Sequence, residues 1–387
     1  MFESIVTFSL NNRGAVLFVT ALVAIGGYAS FSDLTIEAFP DPTDTQVNII
    51  TIFDGQPAEE VERQIGLPLE RALNSTPQLS RLRNISMFGL SSITLTFNDG
   101  TDGLWARQQT LERLREAQLP DGVTPSLGAY ATPIGEVYRF TLEGANGDPM
   151  KLRTLNDWVV KPMLMRVNGV ADVVSYGGLV REVHVQPLPA QLASFSLTMA
   201  DLEKAIREGS VNASGGVLER GSEQFVVRSE GLFHDATNLG DVRVSTHDGT
   251  PVFLKDVATI SDGWAPRQGV VSRGRQYDAV QGIVLMRRGE NPSVVLEGLR
   301  AQIQKVNARL AKEGATIEPF YDRSELVNTT LETVGHNLIE GALLVTLVLF
   351  IFLLDLRAAI IVATIIPLSL ASAFIFLHAR GMSANLL

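Results

Sequence analysis

The five histidines are the residues best suited to metal or proton chemistry in this chain of 387 residues, which contains no cysteine. A histidine metal site on a helix needs a second histidine three or four positions away, or a thiolate partner. His184, His234, His247, His336 and His378 do not supply one another at that spacing, so each is expected to be structural or solvent-facing. Met163 and Met165 flank Leu164 on a predicted helix. Residues two apart on a helix point to different faces, so both are expected to fill a core rather than hold a soft cation. Glu59, Glu60 and Glu62 open another helix, where carboxylates complement the helix dipole, and read as a solvated face rather than a cation site. Gly177-Gly178 and Gly215-Gly216 lack the Lys and Ser/Thr that follow the glycine of a phosphate loop, and read as turns. No catalytic, cofactor-binding or metal-binding residue is assigned from these patterns; no cofactor and no enzymatic role are expected.

Glu340 is different, because it lies at one end of an apolar stretch where a carboxylate is costly unless it meets water or a partner. Leu338 to Leu354 and Ala358 to Leu377 are almost purely apolar and are separated only by Asp355, Leu356 and Arg357. At ~1.5 Å of rise per residue, roughly 20 apolar residues cross a ~30 Å hydrocarbon core, so the pair predicts a helical hairpin through a bilayer. Glu340 is placed in the first turn of the first of these helices, solvated at the interface. Pro367 removes a backbone donor and kinks the second, with Ser369 or a neighbouring helix expected to satisfy the freed carbonyl. A third run, Gly14 to Phe31, reads as an uncleaved signal anchor, since its apolar part exceeds the ~15 residues of a cleaved signal. The preceding Met1 to Asn12 is amphipathic and is expected to lie along the inner interface. Arg13 and Arg357 place the N-terminus and the tight turn on the cytoplasmic side. The middle of all three spans lacks Asp, Glu, Lys and Arg, so any proton- or ion-coupling group is expected outside this stretch of chain.

Between the spans the composition is that of a soluble protein, and the net charge of -10 argues against nucleic acid as a partner. Strand and helix signals over residues 47–127 follow a β-α-β-β-α order, with Val123 to Leu127 adding a last strand, the split βαβ or ferredoxin-like pattern. A second copy begins at Val137 to Leu142, continues through a helix over Leu152 to Met165 and a strand over Ala171 to Tyr176, and turns into a strand at Glu182 to Val185. It resumes at Ala279 to Met286, with a helix over Pro292 to Leu310 and a strand over Thr316 to Phe320. Gln186 to Val271 is therefore an insert, with a helix capped by Thr198 and Asp201. The expected division is a cytoplasmic N-terminus at 1–13, spans at 14–31, 337–354 and 358–378, a first α+β unit at 33–133 and a second at 134–185 and 272–330. The insert takes 186–271, and 379–387 opens a further element.

Several strings together resemble the heavy-metal-efflux branch of the resistance-nodulation-division (RND) permeases. They are Asp99-Gly100-Thr101-Asp102 with Trp105-Ala106-Arg107, Asp157-Trp158 with Gly169-Val170, Tyr176-Gly177-Gly178, Tyr321-Asp322-Arg323-Ser324, Leu356-Arg357-Ala358-Ala359 and Ser383-Ala384-Asn385-Leu386. The resemblance covers essentially the whole chain. It implies membrane α-helical spans plus α+β periplasmic porter subdomains of the ferredoxin-like type, with the insert as an α+β docking module. It further implies a multi-pass protein of the bacterial inner membrane: a proton-driven exporter of heavy-metal cations, homotrimeric, working with a periplasmic adaptor (membrane fusion protein) and an outer-membrane channel. The family's chain is more than twice as long, with its proton-relay acids on the span after Ser383 to Leu386 and its metal-binding methionines in a second porter half. The chain is accordingly expected to be an N-terminal fragment carrying neither. The alternatives are a drug- or amphiphile-exporting RND permease and a membrane-anchored periplasmic sensor; the third span counts against the sensor.

Overall fold

The computed structural model describes residues 2–33, 36–37, 41–209, 213–221, 223–229, 236–247, 249–267, 269–274, 277–354, 356–380 and 384–385. Two compact units are present: Met1–Leu142, Trp158–Ser175 and Gln281–Leu387 form one, and Glu143–Asp157 and Tyr176–Val280 the other.

The first unit begins with α1 (Phe2–Asn11) and α2 (Arg13–Asp33). Next come β1 (Gln46–Ile52), a helix α3 over residues 58–73, β2 (Leu79–Met87), β3 (Leu90–Phe97), α4 (Gly103–Leu114) and β4 (Ser126–Leu127). They build a four-stranded sheet in the order β2-β3-β1-β4, and each of its pairings is antiparallel. Alternation along β1 turns Val47 and Ile49 inward, where they meet Val61, Ile65, Leu69 and Leu73 of α3 and Ile93, Leu95 and Phe97 of β3. α3 survives Pro68, which lacks a donor and would clash with the carbonyl four residues back, because the turn over Glu62–Gly66 widens and the Leu67 N–H reaches the Glu62 carbonyl. The wider turn also brings apolar residues spaced four apart onto one face.

A second sheet is assembled from β5 (Glu136–Gly144), a helix α5 over residues 149–164 and β6 (Val170–Tyr176). The chain then leaves for β7 (Arg181–Pro187), α6 (Met199–Gly209), β8 (Ala213–Arg220), β9 (Glu223–Ser229), β10 (Arg243–His247), β11 (Thr250–Phe253) and β12 (Ala258–Trp264). It returns as β13 (Val280–Met286), α7 (Pro292–Leu310) and β14 (Ala315–Asp322), giving the order β14-β5-β13-β6. Counted within each sheet, both place the fourth strand beside the first, then the third, then the second, which is the split βαβ ladder. α5 repeats the widened turn over Asn156–Val160, directly before Pro162. α7 starts at an Asn291 cap that accepts from the Ser293 N–H at 3.0 Å, and its buried face runs through Val295, Leu299, Ile303, Val306 and Leu310.

One strand assignment is corrected. Glu182 to Val185, expected to belong to the second sheet, lies in β7 and pairs antiparallel with β12, from Arg181 opposite Trp264 to Pro187 opposite Ala258. The third strand of that sheet is instead β13. Within the unit containing β7, Leu202, Leu239, Val242, Val252, Leu254 and Val257 close a separate core. α6 carries the reciprocal cap expected of Thr198 and Asp201: the Thr198 N–H and hydroxyl donate to Asp201 Oδ2 at 2.9 and 2.6 Å, and the Asp201 N–H donates back at 3.3 Å. Those bonds hold the Asp201 carboxyl below its ordinary range. Gly215 and Gly216 form no turn between elements; they lie inside β8, where the register with β9 shifts between Val226 and Arg228 and Gly216 takes φ +78°.

The second span also differs from its expected form. β14 passes directly into α8 (Arg323–Leu353), a single helix of 31 residues, so Glu340 lies well inside the helix rather than in its first turn. Leu354, at φ +50°, ends α8, and α9 (Leu356–Ala379) begins two residues later, with Arg357 already helical. Ser369 does not serve the carbonyl freed by Pro367; its hydroxyl donates to the Ile366 carbonyl at 2.8 Å. Beyond the spans, Ile36 and Glu37 pair parallel with Ala384 and Asn385, so the segments following α2 and α9 meet at one end of the helices.

Candidate functional site

Two places in the first unit bring side chains together: the packed spans, and the junction where a sheet becomes a span. Arg13–Phe31, Gly335–Phe352 and Arg357–Ala379 are long and apolar enough to cross a membrane. α2 lies against α9, where Gly27 leaves room for Ala371; a Cβ at Gly27 would sit 2.4 Å from the Ala371 Cβ. Phe31 and Phe374 continue the contact with ring centroids 4.9 Å apart. A groove of about 330 Å³ beside this seam is lined by Thr20, Ala24, Tyr28, Thr364 and Pro367 among others.

At the junction, the string Tyr321-Asp322-Arg323-Ser324 acquires physical roles. Asp322 caps α8 by accepting from the Ser324 N–H at 2.9 Å, while its other oxygen takes Arg300 Nη2 of α7 at 2.7 Å and Nε at 3.1 Å. Arg323 is buried and donates to the Ile134 carbonyl, just before β5. A cavity of about 450 Å³ opens beside it, lined by Glu136, Arg139, Phe320 and Tyr321, with the Arg139 guanidinium 5.8 Å from the Tyr321 ring centre. Tyr138, buried on β5, has its hydroxyl pushed up to about 12, by burial first and then by the charges of Asp322 and Glu318, against the pull of Arg300.

A second tie joins the chain leaving the first span to the sheets. Arg288 donates to the Thr43 carbonyl at 2.7 Å and the Asp44 carbonyl at 3.2 Å, and Asp41 accepts from the Thr132 hydroxyl at 2.7 Å. Burial alone would raise the Asp41 carboxyl, but bonds from Thr43 and Thr132, with the Arg288 charge, leave it below its ordinary range.

Three further strings also have structural roles. Asp102 caps α4 through the Trp105 N–H at 2.7 Å, and Arg107 donates to the Gly128 carbonyl at 2.8 Å. Gly169 packs under Val295, and Gly177 and Gly178 form the expected turn with φ +71° and +67°. Arg153, paired with Asp157 at 2.7 Å, reaches the Gly177 carbonyl.

The side chains singled out by type are dispersed. Glu60 is held by Gln64 and Arg63 on the exposed start of α3, and the bond from Gln64 first, then that from Arg63, lowers its pKa. Met163 is half-buried and Met165 exposed, so the core role expected for Met165 does not hold. His184 faces Glu182 at 3.6 Å, and His378 lies in the last turn of α9. His234 lies outside the described residues, as does the side chain of His247. Among the described residues no three His, Asp or Glu side chains converge as a metal cluster. Histidine-to-histidine spacing overlooked one pair: His336 Nε2 lies 3.1 Å from Glu340 Oε1, four residues on, and a search for carboxylates at helical spacing would have found it.

A pair of split βαβ sheets, one of which runs without a break into a helix long and apolar enough to cross a membrane, puts an α+β region and apolar helices on one scaffold. The chain belongs to the AcrB/AcrD/AcrF family, whose model matches residues 5–387. It is 37% identical to Protein HelA of Legionella pneumophila and 36% identical to the cobalt-zinc-cadmium resistance protein CzcA of Cupriavidus metallidurans, in each case over the whole of this chain. It covers 38% of the first and 37% of the second, so it spans well under half the length of the curated relatives it matches. A solved heavy metal efflux pump superposes with a TM-score of 0.92 at 41% identity, over 99% of this chain and 38% of that one.

Proposed function

We propose that this chain is part of an inner-membrane permease that exports heavy-metal cations, acting as a carrier and not as an enzyme. The observation that carries the reading is the family match together with relatives above 30% identity that are named for cation efflux or for cobalt-zinc-cadmium resistance. In this reading the two sheets are porter subdomains facing the periplasm and the unit containing β7 to β12 is the docking module. The permease works as a homotrimer with a periplasmic adaptor and an outer-membrane channel. Export is driven by protons, whose coupling acids are contributed by further spans, because the middle of the three spans here carries no ionisable side chain. The continuous passage from β14 into α8 supports the same reading, since it joins a helix long and apolar enough to cross a membrane directly to one of the two sheets.

The test is growth of a metal-sensitive bacterium on graded zinc, cobalt, copper and nickel. The complete permease with its partners is expected to raise tolerance to at least one of these, and residues 1–387 alone to none. Tolerance conferred by residues 1–387 would show that the coupling chemistry has been put in the wrong place. A complete permease that protects against detergents and dyes but against no metal would overturn the choice of cargo.

A further inference from the structure

We propose that His336 and Glu340 form a two-ligand landing site for a borderline divalent cation, of the zinc, cobalt or nickel type, at the sheet-side end of the second span. The geometry fits a chelate. Their four-residue spacing puts both side chains on one face of α8, with Nε2 and Oε1 3.1 Å apart and both side chains exposed on the surface of the chain. A tetrahedral cation holding one nitrogen and one oxygen at ~2.1 Å each sets those atoms ~3.4 Å apart, so a side-chain adjustment of a few tenths of an ångström admits the ion. The donor set selects the class of cargo. An imidazole disfavours calcium and magnesium, which take oxygen ligands, and the absence of sulfur disfavours monovalent copper and silver.

Position supports the same assignment. The apolar stretch begins at Gly335, so Glu340 is a carboxylate at the margin of hydrocarbon, where a bound cation is a partner that offsets its desolvation. The pair is presented by an unbroken helix that is fixed at its start by Asp322 and Arg323, so the backbone positions of the two ligands are set before the ion arrives. Two protein ligands leave the remaining positions to water, a site suited to brief capture and release rather than storage. As a station for cargo the site rests on the transport reading; as a binding site it does not.

The test uses the whole chain, purified in detergent and titrated with zinc alone. Calorimetry follows binding, and carbethoxylation of histidines, read by mass spectrometry, reports which imidazole the metal covers. Zinc is expected to protect His336. Glu340→Gln is expected to weaken binding by more than about tenfold, the loss that removing even an outer-shell partner of a metal can cause. Glu325, exposed in the first turn of α8 and about 16 Å along the helix from His336, is the control: Glu325→Gln is expected to change affinity by less than about twofold, as for a screened surface charge. An unprotected His336, or equal losses from the Glu325 and Glu340 variants, would overturn the site. Protection of His336 in a chain whose complete permease gives no zinc tolerance would leave the site standing and remove its transport role; tolerance without protection would do the reverse.

Discussion

Replacing Asp322 tests whether the sheet and the second span are tied where the structure ties them. One carboxylate oxygen caps α8 through the Ser324 N–H, and the other receives two donors from Arg300. Loss of an N-cap costs about 1 kcal/mol. The pair is charge-assisted and nearly buried on the Asp322 side, with 12% of that side chain exposed, but half of the Arg300 side chain is in water. Screening therefore limits its contribution to about 1 kcal/mol. Asp322→Ala should destabilise the chain by about 2 kcal/mol. Asparagine caps nearly as well as aspartate but cannot pair with Arg300, so Asp322→Asn should cost only about half as much. The assay is guanidinium unfolding of the detergent-solubilised chain followed by tryptophan fluorescence, with Arg300→Ala completing a double-mutant cycle. An alanine variant within about 0.5 kcal/mol of the parent, the range of an ordinary surface substitution, would refute the tie. An asparagine variant no better than alanine would show that the cap contributes nothing.

Four further outcomes follow from the same geometry. Tyr138 titrates near 12 in the folded chain against ~10 when unfolded, so its contribution to stability is complete below pH ~10 and is lost as pH rises toward that higher value. Tyr138→Phe should remove this part of the alkaline slope, and a phenolate absorbance titration in which every tyrosine ionises near pH ~10 would contradict it. Gly27→Val should part α2 from α9 at a cost of about 1–3 kcal/mol, and slow disulfide formation in a chain carrying Phe31→Cys and Phe374→Cys; undiminished crosslinking would mean the close approach is not needed. Alkaline phosphatase fused after Gly240 should be active and after Arg357 inactive, and the reverse result would invert the proposed orientation. Because Arg181 and Trp264 stand opposite each other in the β7–β12 pair, a short Gly/Ser bridge replacing residues 182–263 should leave the two four-stranded sheets folded, and wholesale proteolysis of that chain would show a shared core.

The sequence made some elements plain for local reasons. The Asn291-Pro292 start and the three-to-four spacing of Val295, Leu299, Ile303 and Val306 mark α7 from Pro292 to Leu310, and the structure places it over those residues. The three apolar runs were as clear, since length and composition alone define them. β7 was misplaced because its partner lies some eighty residues away, and nothing in Glu182 to Val185 distinguishes a strand that pairs with β12 from one that pairs with β13. The start of α8 was missed because Thr329, Thr330, Thr333 and Gly335 are weak helix formers and apolar periodicity begins only at Leu338. Asp322 followed three residues later by Glu325 was the available signal, a helix-start pattern that the strand ending at the same residue obscured. The His336–Glu340 pair was legible from spacing alone, but its place midway along one long helix was not.

The long excursion between β6 and β13 has a consequence for the order in which the chain folds. In the first sheet the second and third strands are joined by a tight hairpin at Phe88 and Gly89, a closure that takes microseconds and can be complete soon after the segment is synthesised. In the second sheet the equivalent neighbours are Val170–Tyr176 and Val280–Met286, so the contact must wait for about a hundred intervening residues, and closing so long a loop as disordered chain would cost roughly 3 kcal/mol more than closing a hairpin. The β7–β12 ladder removes most of that penalty if it forms first, because it brings Arg181 and Trp264 side by side and leaves only the short segments flanking them to be ordered. Two sheets with the same ladder therefore differ in contact order, and early pairing of β7 with β12 would shorten the closure that the second one needs.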